Sequence, residues 1–402
     1  MFALAASLGT TYIYDMQTTY QPPTPPTKKG RASVKKRLLT LSFILLNIAV
    51  ILYPAISEFS DGGNASRFED VTIRYELLLP ALLCCLGALM LEVVKYLVMM
   101  KKTCGFVRVR LATESVLLGR YYDNITPFGS GGQPFQIYYL NKAGIGGAPS
   151  ATLPVVGFLS MQYAFILLAI VSLFGLGHMI GSDFIRISAY VGLGFYALVP
   201  TVVLAFTFFP NVTSRILGGM LTLLAKLRIL KRRDELAERL FRSISHYSTC
   251  VRSLLHSGWL VVLVMLLSVL YQMALCSSPY FVLHAFGGTT DFLTCFVTTV
   301  AIYAAITFIP TPGNAGAAET SFYQVFSSLA GGRVFWAMLV WRFFTYYIFI
   351  FFGIFTYIER WLTAKRSSAS AEQAPTVDQP TADGSEAEEP TVNQPTDPAP
   401  NE

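Results

Sequence analysis

Two stretches of this sequence combine residues that bind anions with residues that break helices. The first is NITPFGSGGQPFQIYY, residues 124–139, and the second is IPTPGNAGAAE, residues 309–319. Each carries a Thr-Pro pair followed closely by glycines: Thr126-Pro127 before Gly129, Gly131 and Gly132, and Thr311-Pro312 before Gly313 and Gly316. Proline removes a backbone donor and glycine permits turns that other residues resist, so a helix stops and restarts at such places. The restarted half-helix presents unpaired N–H groups and a positive dipole end, which suit phosphate or carboxylate. In hydrocarbon, a broken helix survives only where protein or a polar cavity pairs the freed backbone groups. Transporters place broken helices at corresponding positions of two repeats, around the substrate. The plainer reading is two ordinary loops.

Ionisable residues flank both stretches. Arg120 and Asp123 precede the first, Glu319 closes the second, and Arg342 lies in the last apolar run. Glu92 and Lys95 stand three apart in an earlier run, on neighbouring faces of one helix, as an intramembrane charge pair. Charge within a bilayer is costly and faces a partner or an aqueous path. One reading makes Arg120 and Arg342 phosphate-binding cations, with Glu319 countering a cationic head group or carrying a proton. Gln133, Gln136 and Asn314 then supply uncharged hydrogen bonds. The structural reading has Glu92 and Lys95 as an ion pair between helices, Arg342 snorkelling to an interface and Glu319 capping the helix that follows. Tyr346 and Tyr347 read as interfacial anchors. No Cys-x-x-Cys occurs, and neither does a G-x-x-x-x-G-K-[ST] loop, so the sequence points to no metal site, no cofactor and no direct ATP coupling.

The elements that position these residues follow from composition. Of 402 residues, 53% are hydrophobic and 13% charged, with mean hydropathy +0.51. Soluble domains carry about a quarter charged residues. The apolar residues fall in runs at 38–56, 77–100, 151–176, 187–209, 259–275, 292–308 and 334–358, each near the ~20 residues that cross a bilayer. The fold class is therefore all-α, a polytopic helical membrane protein with a broken or re-entrant helix in each half. Basic residues before the first run, and again at 101–110 and 210–248, mark cytoplasmic sides. They require residues 114–149 to dip into the membrane and return. Counting 317–330 as a short crossing gives about eight segments and leaves both termini cytoplasmic. Residues 210–248 read as an amphipathic helix at the interface, with partner docking as the alternative. Residues 1–37 form a Pro-rich linker and basic anchor. Residues 363–402 read as a disordered tail, and 367–402 hold eight acidic side chains and no Lys or Arg. The net charge of +6 hides an asymmetry, since without the acidic tail the membrane body carries 30 basic against 16 acidic residues, and no basic soluble module suited to nucleic acid is visible.

With the strings TPFGSGGQPFQIYYL at 126–140 and PTPGNAGAAE at 310–319, and Arg342 ahead of Tyr346-Tyr347, the chain resembles the lysylphosphatidylglycerol synthase transmembrane family. That family includes the membrane half of the bacterial multiple peptide resistance factor, and the likeness extends over roughly residues 38–362. The resemblance implies a flippase-type protein of the bacterial plasma membrane. It would move aminoacylated or other anionic phospholipids, lower the negative charge of the cell surface and weaken cationic antimicrobial peptides. Full-length relatives add a cytosolic domain that transfers lysine from lysyl-tRNA to phosphatidylglycerol. Neither 210–248 nor the residues after 358 offer room for that domain, so lysyltransfer, in this chain or with a separate synthase partner, is the alternative expectation. A small-solute transporter, a scaffold and a homo-oligomer stay open as alternatives.

Overall fold

The computed structural model describes residues 73–359, apart from 127–128, 210–211, 214, 217–218, 220–247, 308, 310, 312, 331–332 and 357. The expected 38–56 span, most of the 210–248 helix and the 363–402 tail lie outside the described residues. Among the described residues every regular element is a helix. Five are long and apolar enough to cross a bilayer: α1 (Tyr75–Cys104), α4 (Gly147–Ile170, prolonged by a π turn to Gly175), α5 (Asp183–Phe208), α6 (Gly258–Ala285) and α9 (Val334–Arg342, continuing through a π turn at Phe343–Tyr347 to Thr356). The thirty residues of α1 reach about 45 Å, more than the ~30 Å hydrocarbon core requires. Gly105 ends α1 in the left-handed conformation (φ +77°), its N–H donating to the Lys101 carbonyl.

Four short helices, in two pairs, pack among these spans. α2 (Val109–Ile125) and α3 (Gly132–Lys142) flank the first break; α7 (Phe292–Ile306) and α8 (Ala317–Ala330) flank the second. Contacts at the ends of these pairs establish their course. Before α2, the Arg108 guanidinium donates to the carbonyl of Ala143, just after α3, at 3.2 Å. Before α7, Gly287 lies against Arg333, which follows α8; a Cβ at Gly287 would sit 3.5 Å from the Arg333 Nη1. Each pair therefore starts and finishes at one end of the bundle, as a hairpin. Helices of fifteen and fourteen residues reach only about 21–23 Å. The segments expected at 292–308 and 317–330 are the two limbs of one hairpin, each shorter than the ~30 Å hydrocarbon core.

The hairpins enter from opposite ends. The N–H of Arg74, before α1, donates to the Ala285 carbonyl at the end of α6 (2.9 Å), so α1 and α6 pack antiparallel. The mouth of the second hairpin lies at that end, and the mouth of the first lies where α1 finishes. α9 runs between the two mouths, from Arg333 to Glu359, whose carboxylate accepts from Arg110 at 2.8 Å. Residues 75–170 and 258–356 thus share one order, helix, hairpin, helix, in inverted directions, with α5 between them. α5 seats Gly192 directly on the Ala304 carbonyl of α7, a close approach of the kind small residues allow between membrane helices. Its opposite face, including Ile187, Phe195, Leu198 and Val202, is exposed.

Candidate functional site

The first hairpin tip is held by side chains from the end of α2. Thr126 accepts the Gly131 N–H on Oγ1 (2.9 Å) and donates to the Tyr122 carbonyl (2.7 Å). The Asp123 carboxylate accepts the Gly132 N–H at 2.8 Å. A Cβ at Gly132 would collide with that carboxylate, so glycine is what lets the anion reach the start of α3. Arg120, one turn earlier on α2, pairs with Glu92 of α1: Nη2 lies 2.8 Å and Nε 2.9 Å from the same oxygen, Oε2. Its guanidinium also lies over the Tyr271 ring of α6, 4.9 Å from the centroid. The charge pair expected within α1 is thus replaced by one between helices, because Arg120 brings two charged N–H donors from α2 to one Glu92 oxygen. Lys95 instead donates to the Gly157 carbonyl of α4 at 3.2 Å. Gln136 joins three elements: it accepts from the Tyr96 hydroxyl (2.8 Å) and donates to the Ser115 carbonyl (3.0 Å). Gln133 sits half-buried in the first turn of α3, and Gly129 takes φ +57° in the turn.

The second tip repeats the device. The Glu319 carboxylate accepts the Gly316 N–H on Oε2 (2.7 Å), the reach-back that a glutamate at the third helical position makes to the cap residue. Its other oxygen accepts from Arg342 Nε at 2.6 Å. Nη2 of Arg342 points at the carbonyls of Gly313 and Asn314, both at 3.4 Å. Gly313 and Asn314 have φ +57° and +54°, which turns their carbonyls toward the guanidinium. This pair is enclosed, with side-chain exposures of 7% and 4%, against 26% and 11% for Arg120 and Glu92. The Thr311 hydroxyl is buried and makes no hydrogen bond among the described residues. Pro127 and Pro312 lie outside the described residues.

One residue touches both tips. The Tyr346 hydroxyl donates to the Asn124 carbonyl (3.2 Å), and the Asn124 amide donates to the Tyr346 carbonyl (3.4 Å). The Tyr346 ring lies flat against Gly313, where any Cβ would overlap it. Tyr346 is 2% exposed, so the sequence expectation of an interfacial anchor is corrected. Its position follows from the π turn at Phe343–Tyr347, which shifts the register of α9 just after Arg342. The two breaks therefore meet through α9. Sequence reasoning also missed Tyr96, Tyr271 and Gln162, the last accepting from the Tyr196 hydroxyl. The signal was available for Gln162, a polar residue in the middle of an apolar run.

The arrangement can hold anions. At both tips a side-chain carboxylate lies against the N–H groups of a half-helix with an arginine close by, so each place already accommodates negative charge. Arginine with exposed donors offers bidentate bonds to phosphate oxygens. Among the described residues no group of three or more His, Cys, Asp or Glu could hold a metal ion.

Fold and site together define a polytopic helical membrane protein whose two opposed hairpins each engage a neighbouring helix through an arginine–carboxylate pair, that of Arg342 and Glu319 being buried. The family model described as Lysylphosphatidylglycerol synthase TM region matches residues 38–353. The chain belongs to that family and is a membrane-embedded protein of the lysylphosphatidylglycerol pathway. A search of the curated proteins gives no match.

Proposed function

We propose that this protein moves a phospholipid head group across the membrane, taking an aminoacylated or other anionic phospholipid, with its acyl chains left in lipid. The observation that carries this reading is the meeting of two inverted hairpin tips across Tyr346, each tip bearing an arginine and a carboxylate at a half-helix N-terminus. Head-group phosphate takes the place of a resident carboxylate: it binds Arg120 and the N–H groups of Gly131 and Gly132 from one side, and Arg342 and the Gly316 N–H from the other. Glu92 and Glu319, displaced from their arginines, balance the amines of an aminoacylated head group. The more exposed Arg120–Glu92 pair is the first to exchange, because less of its surroundings must move. Gln133, Gln136, Asn314 and the two threonines supply neutral hydrogen bonds.

The basic end of the bundle, with Lys101, Lys102, Arg108, Lys142 and Arg252, faces the cytoplasm on this reading. The host membrane is then the bacterial plasma membrane, and the partner is lipid rather than nucleic acid. Loss of surface negative charge and resistance to cationic peptides follow from the lipid reaching the outer leaflet. The test is reconstitution. Proteoliposomes containing fluorescent phosphatidylglycerol, or lysylphosphatidylglycerol read with an amine reagent, are assayed for lipid protected from an impermeant quencher. Wild type is expected to equilibrate the leaflets, while Arg120→Gln, folded and inserted, falls to the rate of empty vesicles. Equal rates for the variant and wild type would remove Arg120 from the site.

A further inference from the structure

α4 and α5 lie side by side, yet they are fastened to different parts of the molecule. α4 is held by α1 and α6: Lys95 donates to the Gly157 carbonyl at 3.2 Å, Gln272 donates to the Met161 carbonyl at 3.3 Å, and the Ser268 and Ser160 hydroxyls lie 3.1 Å apart. α5 is seated through Gly192 on Ala304 of α7, a limb of the second hairpin. At one end the Tyr190 hydroxyl pins the two helices together, donating to the Leu173 carbonyl at 2.9 Å. Along the rest of the seam two polar contacts cross between side chains. Tyr196 of α5 donates to Oε1 of Gln162 on α4, and further along, the Tyr163 hydroxyl and Oγ1 of the exposed Thr201 lie 3.5 Å apart. Gln162 and Tyr196 are half-buried at the middle of their spans, far from either head-group layer, where polar side chains are costly. The Gln162 amide N–H groups find no acceptor among the described residues. Inward, the Tyr196 hydroxyl lies within electrostatic reach of Arg120. A row of polar groups thus leads from the lipid-facing side of α4 and α5, past Gln162 and Tyr196, to the first tip.

We propose that this seam is a lateral gate, along which α4 and α5 part so that the head group of a membrane phospholipid passes from the bilayer to the tips. The inference rests on the lipid-translocation reading above and adds the route of entry. Gln162 and Tyr196 are the latch. Closed, they satisfy one another; open, the amide and the hydroxyl meet phosphate and glycerol oxygens, so polar groups exchange partners rather than lose them. The pinned end at Leu173 and Tyr190 is the hinge, and the acyl chains stay outside in lipid. A pair that only glued α4 to α5 would also bond between helices. It would have no reason to leave amide donors unmet, or to stand between lipid and Arg120.

Reversible cross-linking of the seam tests this. In a chain freed of its six native cysteines, Tyr163→Cys and Thr201→Cys are joined by a short bis-methanethiosulfonate reagent. Movement of fluorescent phosphatidylglycerol in proteoliposomes is recorded before and after dithiothreitol cleaves the link. Leu173→Cys with Tyr190→Cys, across the pinned end, is the control. The linked seam is expected to fall to the rate of empty vesicles and to recover on reduction, while the linked control moves lipid throughout. Gln162→Leu and Tyr196→Phe are each expected to slow movement about three- to thirtyfold, the equivalent of one hydrogen bond between membrane helices. An unchanged rate in the linked seam, or equal inhibition of both linked pairs, overturns the gate and leaves the translocation reading standing. Wild-type rates in both Gln162→Leu and Tyr196→Phe overturn the latch. Absence of lipid movement by folded wild type overturns the translocation reading and the gate with it.

Discussion

Removing Glu319 should destabilise the protein more than removing Arg342, and removing both should destabilise it least. The pair is almost fully enclosed, and the asymmetry lies in what each partner leaves behind. Glu319→Met strands a guanidinium with two carbonyls at 3.4 Å and deprives the Gly316 N–H of its acceptor. A buried charge without its partner costs about 3–5 kcal/mol, and an orphaned buried donor adds about 1–3 kcal/mol. Arg342→Met leaves a carboxylate that still accepts from Gly316, so its cost falls at the lower end, about 3 kcal/mol. The double variant carries no stranded charge; well-packed apolar replacement of a buried pair is often neutral or stabilising, which leaves the Gly316 N–H as the main loss. Reversible unfolding of all four proteins in the same detergent gives the double-mutant cycle. Lipid movement by the folded double variant separates stability from function, and the expected rate is that of empty vesicles. Single variants within about 0.5 kcal/mol of wild type, the range of ordinary surface changes, would refute the reasoning. So would a double variant costing the sum of the singles.

Tyr346→Phe keeps the ring on Gly313 and loses the bond to Asn124, so about 0.5–1.5 kcal/mol of stability should go, while Tyr346→Ala should cost about 3–5 kcal/mol; both are read from the same unfolding curves. Gly132→Ala drives a methyl into the Asp123 carboxylate and is expected to lose about 1–3 kcal/mol, with the reconstituted lipid rate falling as the first tip loosens. Asp291, in the loop before α7, accepts the Thr294 N–H at 2.9 Å, and that bond holds its carboxyl below the usual range. The stability it lends is complete above the unfolded value, near roughly pH 4, and is lost as pH falls through the lower folded value. Melting curves of Asp291→Ala should therefore lack the part of the acid-side slope that wild type shows there.

Much of the architecture is legible in the amino-acid sequence, because hydropathy reads length and the bilayer fixes what length means. The long apolar runs at 77–100, 151–176, 187–209, 259–275 and 334–358 coincide with α1, α4, α5, α6 and α9. The breaks are legible for a different reason: proline and glycine act on their own backbone, so their effect needs no partner. What the chain does not announce is pairing at a distance. Glu92 and Lys95 are neighbours by helical spacing, yet the guanidinium that takes Glu92 arrives from another helix. Hydropathy gives α7 and α8 as two apolar segments without saying where their ends meet; the contact of Gly287 with Arg333 brings those ends together. Tyr346 resembles a belt residue by type, and only the π turn of α9 brings it between the tips.

Cross-linking in the membrane tests the meeting of the tips most directly. In a chain freed of its six native cysteines, Asn124→Cys and Tyr346→Cys are introduced together and treated with a short bifunctional thiol reagent in intact membranes. Arg108→Cys with Ala143→Cys serves as a control at the mouth of the first hairpin. The account predicts that both pairs link in high yield, and that the tip pair does so without extraction from lipid. A linked control beside an unlinked tip pair would mean that the two breaks lie apart, and the shared site built on them would not exist.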